Sequence, residues 1–105
     1  MKFVTIFKLK PDNIEKILQR MENIEMPKGI RILGEWLGSN RDVLVYEAET
    51  NEAVNRLEFL WMDVMDYETF PVIETRQLWQ RDDVRKKAHE TLHEFQSIGI
   101  RKKFC

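Results

Sequence analysis

The run Phe3-Val4-Thr5-Ile6-Phe7-Lys8-Leu9 restricts this chain more than any other feature. β-Branched and aromatic side chains dominate it, as a pleated surface prefers, and Phe3, Thr5, Phe7 and Leu9 alternate with Val4, Ile6 and Lys8. It reads as a first strand. A strand with one face in water would set polar residues against apolar ones, whereas here both faces are apolar, so something must cover each side of its sheet.

The segments that follow alternate in period. Asp12 with Glu15 reads as a capping-box-like start, and a helix is predicted to about Ile24 whose stripe of Ile14, Ile17, Leu18, Met21 and Ile24 packs on the sheet. Pro27 and Gly29 turn the chain. Residues 30–37 and 42–48 read as a hairpin about Gly38-Ser39-Asn40, where Gly38 and Asn40 tolerate positive φ. Thr50 or Asn51 caps a second helix with an apolar arc of Ala53, Val54, Leu57, Leu60, Trp61, Val64 and Met65, from which Phe59 points away. Residues 68–79 read as a strand, at an edge or bulged near Pro71, because proline lacks the N–H of an interior ladder. Asp82 and Asp83 start a third helix with the stripe Val84, Ala88, Leu92 and Phe95, and Arg101-Lys102-Lys103 follow near the negative end of its dipole.

This order predicts an α+β chain, a ferredoxin-like βαββαβ unit with an antiparallel sheet, both helices on one face, plus an extra C-terminal helix. Residues 1–80 form the domain and 81–105 a helical extension of it. The other sheet face needs a cover, and in a chain of 105 residues a second copy across a two-fold axis supplies one. A homodimer or higher homo-oligomer is therefore expected, with the C-terminal helix reaching across or closing its end.

Seventeen Lys and Arg against 18 Asp and Glu leave a formal charge of −1, so no net field attracts nucleic acid or an anionic membrane. No stretch approaches the ~20 apolar residues of a membrane-spanning helix, and the short apolar run at Phe3 to Phe7, bounded by Lys8 and Lys10, is not expected to act as a secretion signal. The lone Cys105 cannot form an intrachain disulfide, and a cytoplasmic location is expected.

Particular strings carry a family likeness. Pro27-Lys28-Gly29-Ile30, Leu33-Gly34-Glu35-Trp36, Glu47-Ala48-Glu49, Trp61-Met62-Asp63-Val64 and Pro71-Val72 resemble the family DUF3303, over about residues 1–80. The resemblance implies a dimeric α/β barrel. The superfamily it points to includes cofactor-independent monooxygenases, small isomerases, haem enzymes and effector-sensing modules, so the fold decides nothing about chemistry. Trp36, Trp61, Asp63 and Pro71 match the family pattern, with no catalytic role to transfer. The 38–42 turn is less glycine-rich than that pattern, and the likeness does not reach the helix after Arg81.

Two constellations could carry chemistry. His89-Glu90-Thr91-Leu92-His93 is a literal HExxH, which in zinc proteases sets two ligands one helical turn apart beside a general base. In the Glu94 to Gly99 stretch neither the downstream Gly nor the His of the longer motif falls in place, and the helical wheel puts His89 on the flank of the buried stripe and His93 on the solvated side. No metal or other cofactor is favoured, and solvated helix polarity explains the pair. The second constellation sets Glu35, Glu47 and Glu74 as candidate proton acceptors among Trp36, Tyr46 and Trp61 as ligand-binding walls, with Tyr67 and Trp79 nearby. An apolar wall would raise a carboxyl group toward general-base use. Core or interface anchoring by the tryptophans, and ion pairing of the acids with Arg31, Arg41 or Arg76, accounts for the same residues. The sequence thus predicts a pocket between sheet and helices for a small, partly apolar molecule, with a cofactor-independent monooxygenase- or isomerase-like enzyme, or an assembly module using Phe59 and the terminal helix and carrying an adventitious metal site at the His89/His93 pair, as alternatives.

Overall fold

A computed structural model describes residues 1–79 and 83–103. The chain runs β1 (Lys2–Leu9), a 3-10 turn (Pro11–Asn13), α1 (Ile14–Asn23), β2 (Ile30–Gly38), β3 (Arg41–Ala48), α2 (Asn51–Phe59), β4 (Met65–Val72), α3 (Thr75–Trp79), α4 (Val84–Ile98) and β5 (Arg101–Lys103). The strands form one sheet in the order β2-β3-β1-β4-β5, every neighbouring pair antiparallel. The architecture is α+β and compatible with a ferredoxin-like fold, with β5 added outside β4.

Register explains the core. Phe3 lies between Tyr46 and Pro71, and Thr5 between Leu44 and Thr69, so these residues share one sheet face. Against that face pack Ile17 of α1, Ala53, Val54 and Leu57 of α2, and Trp61 and Val64 from the turn beyond it. Three hydroxyls are sealed within: Thr5 Oγ1 is hydrogen-bonded to Tyr46 Oη and to Thr69 Oγ1, both at 2.8 Å. On the second face Val4, Ile6, Val43, Val45 and Phe70 are half-buried. Lys2, Glu47 and Val72, on that same face, line a cleft with Lys87, Thr91 and Phe95 of α4, so the C-terminal helix covers one end of it.

Several expectations need correction. The second helix stops at Phe59 and Met65 already belongs to β4, although Trp61, Val64 and Met65 stay buried because the turn folds under the sheet. The fourth strand ends at Val72, and Thr75–Trp79 is a short helix instead of strand. Pro71 is tolerated without a bulge because β5 pairs only with Tyr67 to Thr69 and leaves β4 open beside it. Asp12 caps nothing: it sits in the 3-10 turn, and the N-cap residue Asn13 donates its side-chain amide to the Val64 carbonyl at 2.9 Å. Thr50 and Asp83 do cap, accepting from the backbone N–H of Ala53 and Lys86, while Asp82 lies outside the described residues. Only Asn40 of the hairpin turn uses positive φ, at 57°. In α4 the polar Thr91 is buried and Leu92 is 59% exposed, the reverse of the apolar-stripe expectation, because the face turned to the sheet carries Thr91 and Phe95. Phe59 points away from the core, 75% exposed, as the wheel predicts. No helix among the described residues is long and apolar enough to cross a membrane.

Candidate functional site

The site begins with an irregularity in β2. Ile30 and Ile32 lie opposite Ala48 and Tyr46, on the core face, but the register then shifts so that Gly34 lies opposite Val45 and Glu35 opposite Leu44. Leu33 is the extra residue of a β-bulge, and an odd insertion exchanges the two faces of everything beyond it. Strict alternation would send Gly34 and Trp36 inward. The bulge instead turns Glu35 and Leu37 toward the core side and sets Trp36 on the second face, opposite Val43. There the indole folds over Gly34, where a Cβ would stand only 2.5 Å from Trp36 Cη2, and remains 62% exposed. Glycine supplies the room for that ring.

On the core side a cavity of about 460 Å³ opens between the sheet and α1. Phe7, Leu44 and Met65 are among its lining residues on the sheet, Ile14, Ile17, Leu18 and Met21 come from α1, and Leu57 and Trp61 lie deeper. The α1 stripe thus faces the sheet as its periodicity predicts, yet only Ile17 is buried, with Leu18 50% and Met21 55% exposed around the opening. Two carboxylates, Glu35 and Asp42, line the same cavity. Asp42 is half-buried, and its pKa is pushed up to about 7, first by loss of water, then by a side-chain hydrogen bond to Glu35 and by the negative charge of Glu35. Two like charges in one apolar site hold a proton between them more readily than either alone.

α1 is fastened at both ends to the turn after α2. Besides the Asn13 bond, Arg20 donates to the Leu60 carbonyl at 2.6 Å and makes two bonds to Asp63, at 2.7 and 2.9 Å. Its guanidinium also lies 5.7 Å from the Trp61 ring centroid. That pairing holds the Asp63 carboxyl below its ordinary range.

The other candidates are scattered. Glu47 lies on the second face and is paired with Arg31 at 2.7 Å, and Glu74 is exposed between β4 and α3, so neither meets Glu35. Tyr46 is fully buried with its hydroxyl on Thr5, and burial pushes its pKa up to about 12, so it belongs to the core and does not line the cavity. Trp61 does line the cavity. His89 and His93 are both exposed on α4, and no group of three His, Cys, Asp or Glu able to hold a metal ion occurs among the described residues. Cys105 lies outside them. Asp42 is the site residue that sequence reasoning missed: its only signal was a place two residues from the hairpin turn, and its meeting with Glu35 depends on the bulge.

Comparison with known proteins adds one positive result. Neither curated proteins nor solved structures gave a match. The profile of the family described as a domain of unknown function, DUF3303, matches residues 1–96. The match runs through most of α4, farther than the strings quoted above suggested, so that helix lies within the family's extent. With nearly the whole chain aligned to it, the protein belongs to the DUF3303 family.

Proposed function

We propose that the protein binds a small, partly apolar molecule in the cavity between the sheet and α1. The observation that carries this reading is the cavity itself, about 460 Å³ of space with largely apolar walls and a single pair of carboxylates. Cavities of this size, mostly apolar with a few polar groups, are the usual form of a small-molecule site. The test is a methyl-resolved NMR titration with hexanol and its amine and carboxylate counterparts, hexylamine and hexanoate: shifts at Ile17, Leu44 and Leu57 are expected, and spectra unchanged by all three at millimolar concentration would remove the reading.

The working unit proposed is a homodimer joined through the second sheet face. Half-buried valines, Ile6 and Phe70 on that face support it. So does a radius of gyration of 15.4 Å, against roughly 13 Å for a compact domain of this length. Sedimentation equilibrium at micromolar concentration should give twice the chain mass, and a monomer would refute the assembly.

A second reading, acid–base catalysis without a cofactor, is favoured by the elevated Asp42 carboxyl, which near neutral pH can both accept and return a proton. It predicts that the protein accelerates exchange of the α-protons of cyclohexanone into deuterated water and that Asp42→Asn abolishes the acceleration.

A further inference from the structure

We infer that the ligand of this cavity is an apolar cation, an amine or ammonium group on a hydrocarbon body, with its charge held between Glu35 and Asp42. The inference rests on the binding role proposed above and adds the charge and the polarity of the ligand. Three observations carry it. The cavity is a feature of the apolar packing and does not depend on the acids: its walls are Phe7, Ile17, Leu44, Leu57, Trp61 and their neighbours. Glu35 and Asp42 are the titratable side chains among the lining residues, and no Lys, Arg or His lines it from β1, α1, α2 or β4. The two acids come from adjacent strands, Glu35 opposite Leu44 and Asp42 opposite Leu37, so their carboxylates converge on one end of the cavity.

The chemistry follows from that asymmetry. An anion entering would meet two acids and no base, and a neutral apolar molecule would leave the pair to share a proton. An ammonium donates to both carboxylates through charge-assisted hydrogen bonds and displaces the shared proton, while its hydrocarbon body replaces water along the apolar wall. Exposure of Glu35 lets the charged end enter from solvent.

The experiment compares hexylamine, hexanol and hexanoate on the full-length protein by calorimetry and methyl-resolved NMR at pH 7.5, repeated with Glu35→Gln and Asp42→Asn. The expected result is hexylamine binding about tenfold or more tighter than hexanol, with hexanoate weakest, with shifts at the Ile17, Leu44 and Leu57 methyls, and with that advantage lost in either variant. Equal affinity for hexanol and hexylamine, with the same methyl shifts, would overturn the cation preference and leave the cavity's binding role standing. Hexylamine that binds without moving those methyls would mark ion pairing at the surface and would also overturn it. Failure of all three probes to move the methyls would remove the binding role and the inference together. Thermal melts of the two variants, expected at or above the parent's, separate a lost site from a lost fold.

Discussion

Glu35 and Asp42 are diagonal neighbours across the β2–β3 ladder, in pairs two steps apart with Trp36 and Val43 between them, and both face the cavity under α1. Diagonal positions on one face of an antiparallel pair lie within reach of longer side chains. The pair therefore works as one titrating unit in a partly dry place, with consequences for stability as well as binding.

A carboxyl raised in the fold means that the folded protein holds a proton which the unfolded chain has already released. Stability is then greatest at low pH within this window and falls as pH rises from about 4 toward 7, the range between the unfolded and folded values of Asp42. Asp42→Asn should flatten that slope and raise stability at pH 8 by roughly 1 kcal/mol, a figure reduced for the group's contact with solvent. Urea melts at pH 5 and pH 8 check it. An unchanged pH dependence in the variant would show that the pair is not coupled.

Gly34 and Trp36 form the other consequence of the bulge. A methyl at position 34 must push the indole aside, since it would lie within 3.2 Å of three of its ring carbons. Gly34→Ala should cost about 1 kcal/mol and change the near-ultraviolet circular dichroism, because the ring can move into solvent at modest expense. If the face bearing Trp36 is the dimer surface, the same change should weaken association, read by sedimentation.

The buried acid Glu58 is answered by Arg101, whose guanidinium reaches both its oxygens and the Asn55 side-chain carbonyl. This clip ties β5 to α2 across the edge of β4. Arg101→Ala would strand a carboxylate that is 2% exposed, at a cost of about 3 kcal/mol, and would release β5. Replacing Glu58 by Gln in the same chain should recover part of that loss, because a neutral amide tolerates burial without a cation. Equal stability of the single and double variants would show that the ion pair carries no weight.

How much of this could be read from the sequence depends on whether one residue or several decided the outcome. β1, α1, the hairpin and Thr50 as a cap follow from periodicity and local chemistry, and they emerge nearly where those rules put them. The end of α2 does not, because residues 60–65 keep the apolar spacing of a helix while tertiary packing bends them into a turn and a strand. β5 escapes because Arg101-Lys102-Lys103 reads as solvated charge until Glu58 is known to be buried opposite Arg101. In the site, Glu35 and Trp61 are legible from residue type, while Trp36 and Asp42 are not. A single bulge at Leu33 decides which of Glu35 and Trp36 faces the cavity, and no residue type announces a bulge there.

The wall of the cavity formed by α1 is held more by its polar fastenings than by burial, since Ile17 is the only α1 residue fully withdrawn from water. Arg20 supplies most of that fastening, through the Leu60 carbonyl, Asp63 and the Trp61 ring. Arg20→Ala should therefore loosen α1 before it unfolds the sheet: amide exchange in Ile14–Asn23 should accelerate about tenfold or more while β1 and β3 keep their protection. Acid should imitate the mutation in part. The Asp63 carboxyl is held low by Arg20, so the contribution of this pair is present at neutral pH and is lost as pH falls through the folded-state value, below the ordinary carboxylate range. Exchange measured at matched chemical rates across pH 3 to 7 separates the two effects. In the parent protein α1 should loosen selectively at the acid end, and in Arg20→Ala it should be loose throughout. Uniform exchange across α1 and the sheet in the variant would mean that the helix and sheet open as one unit, and that the cavity wall is not independently gated by this contact.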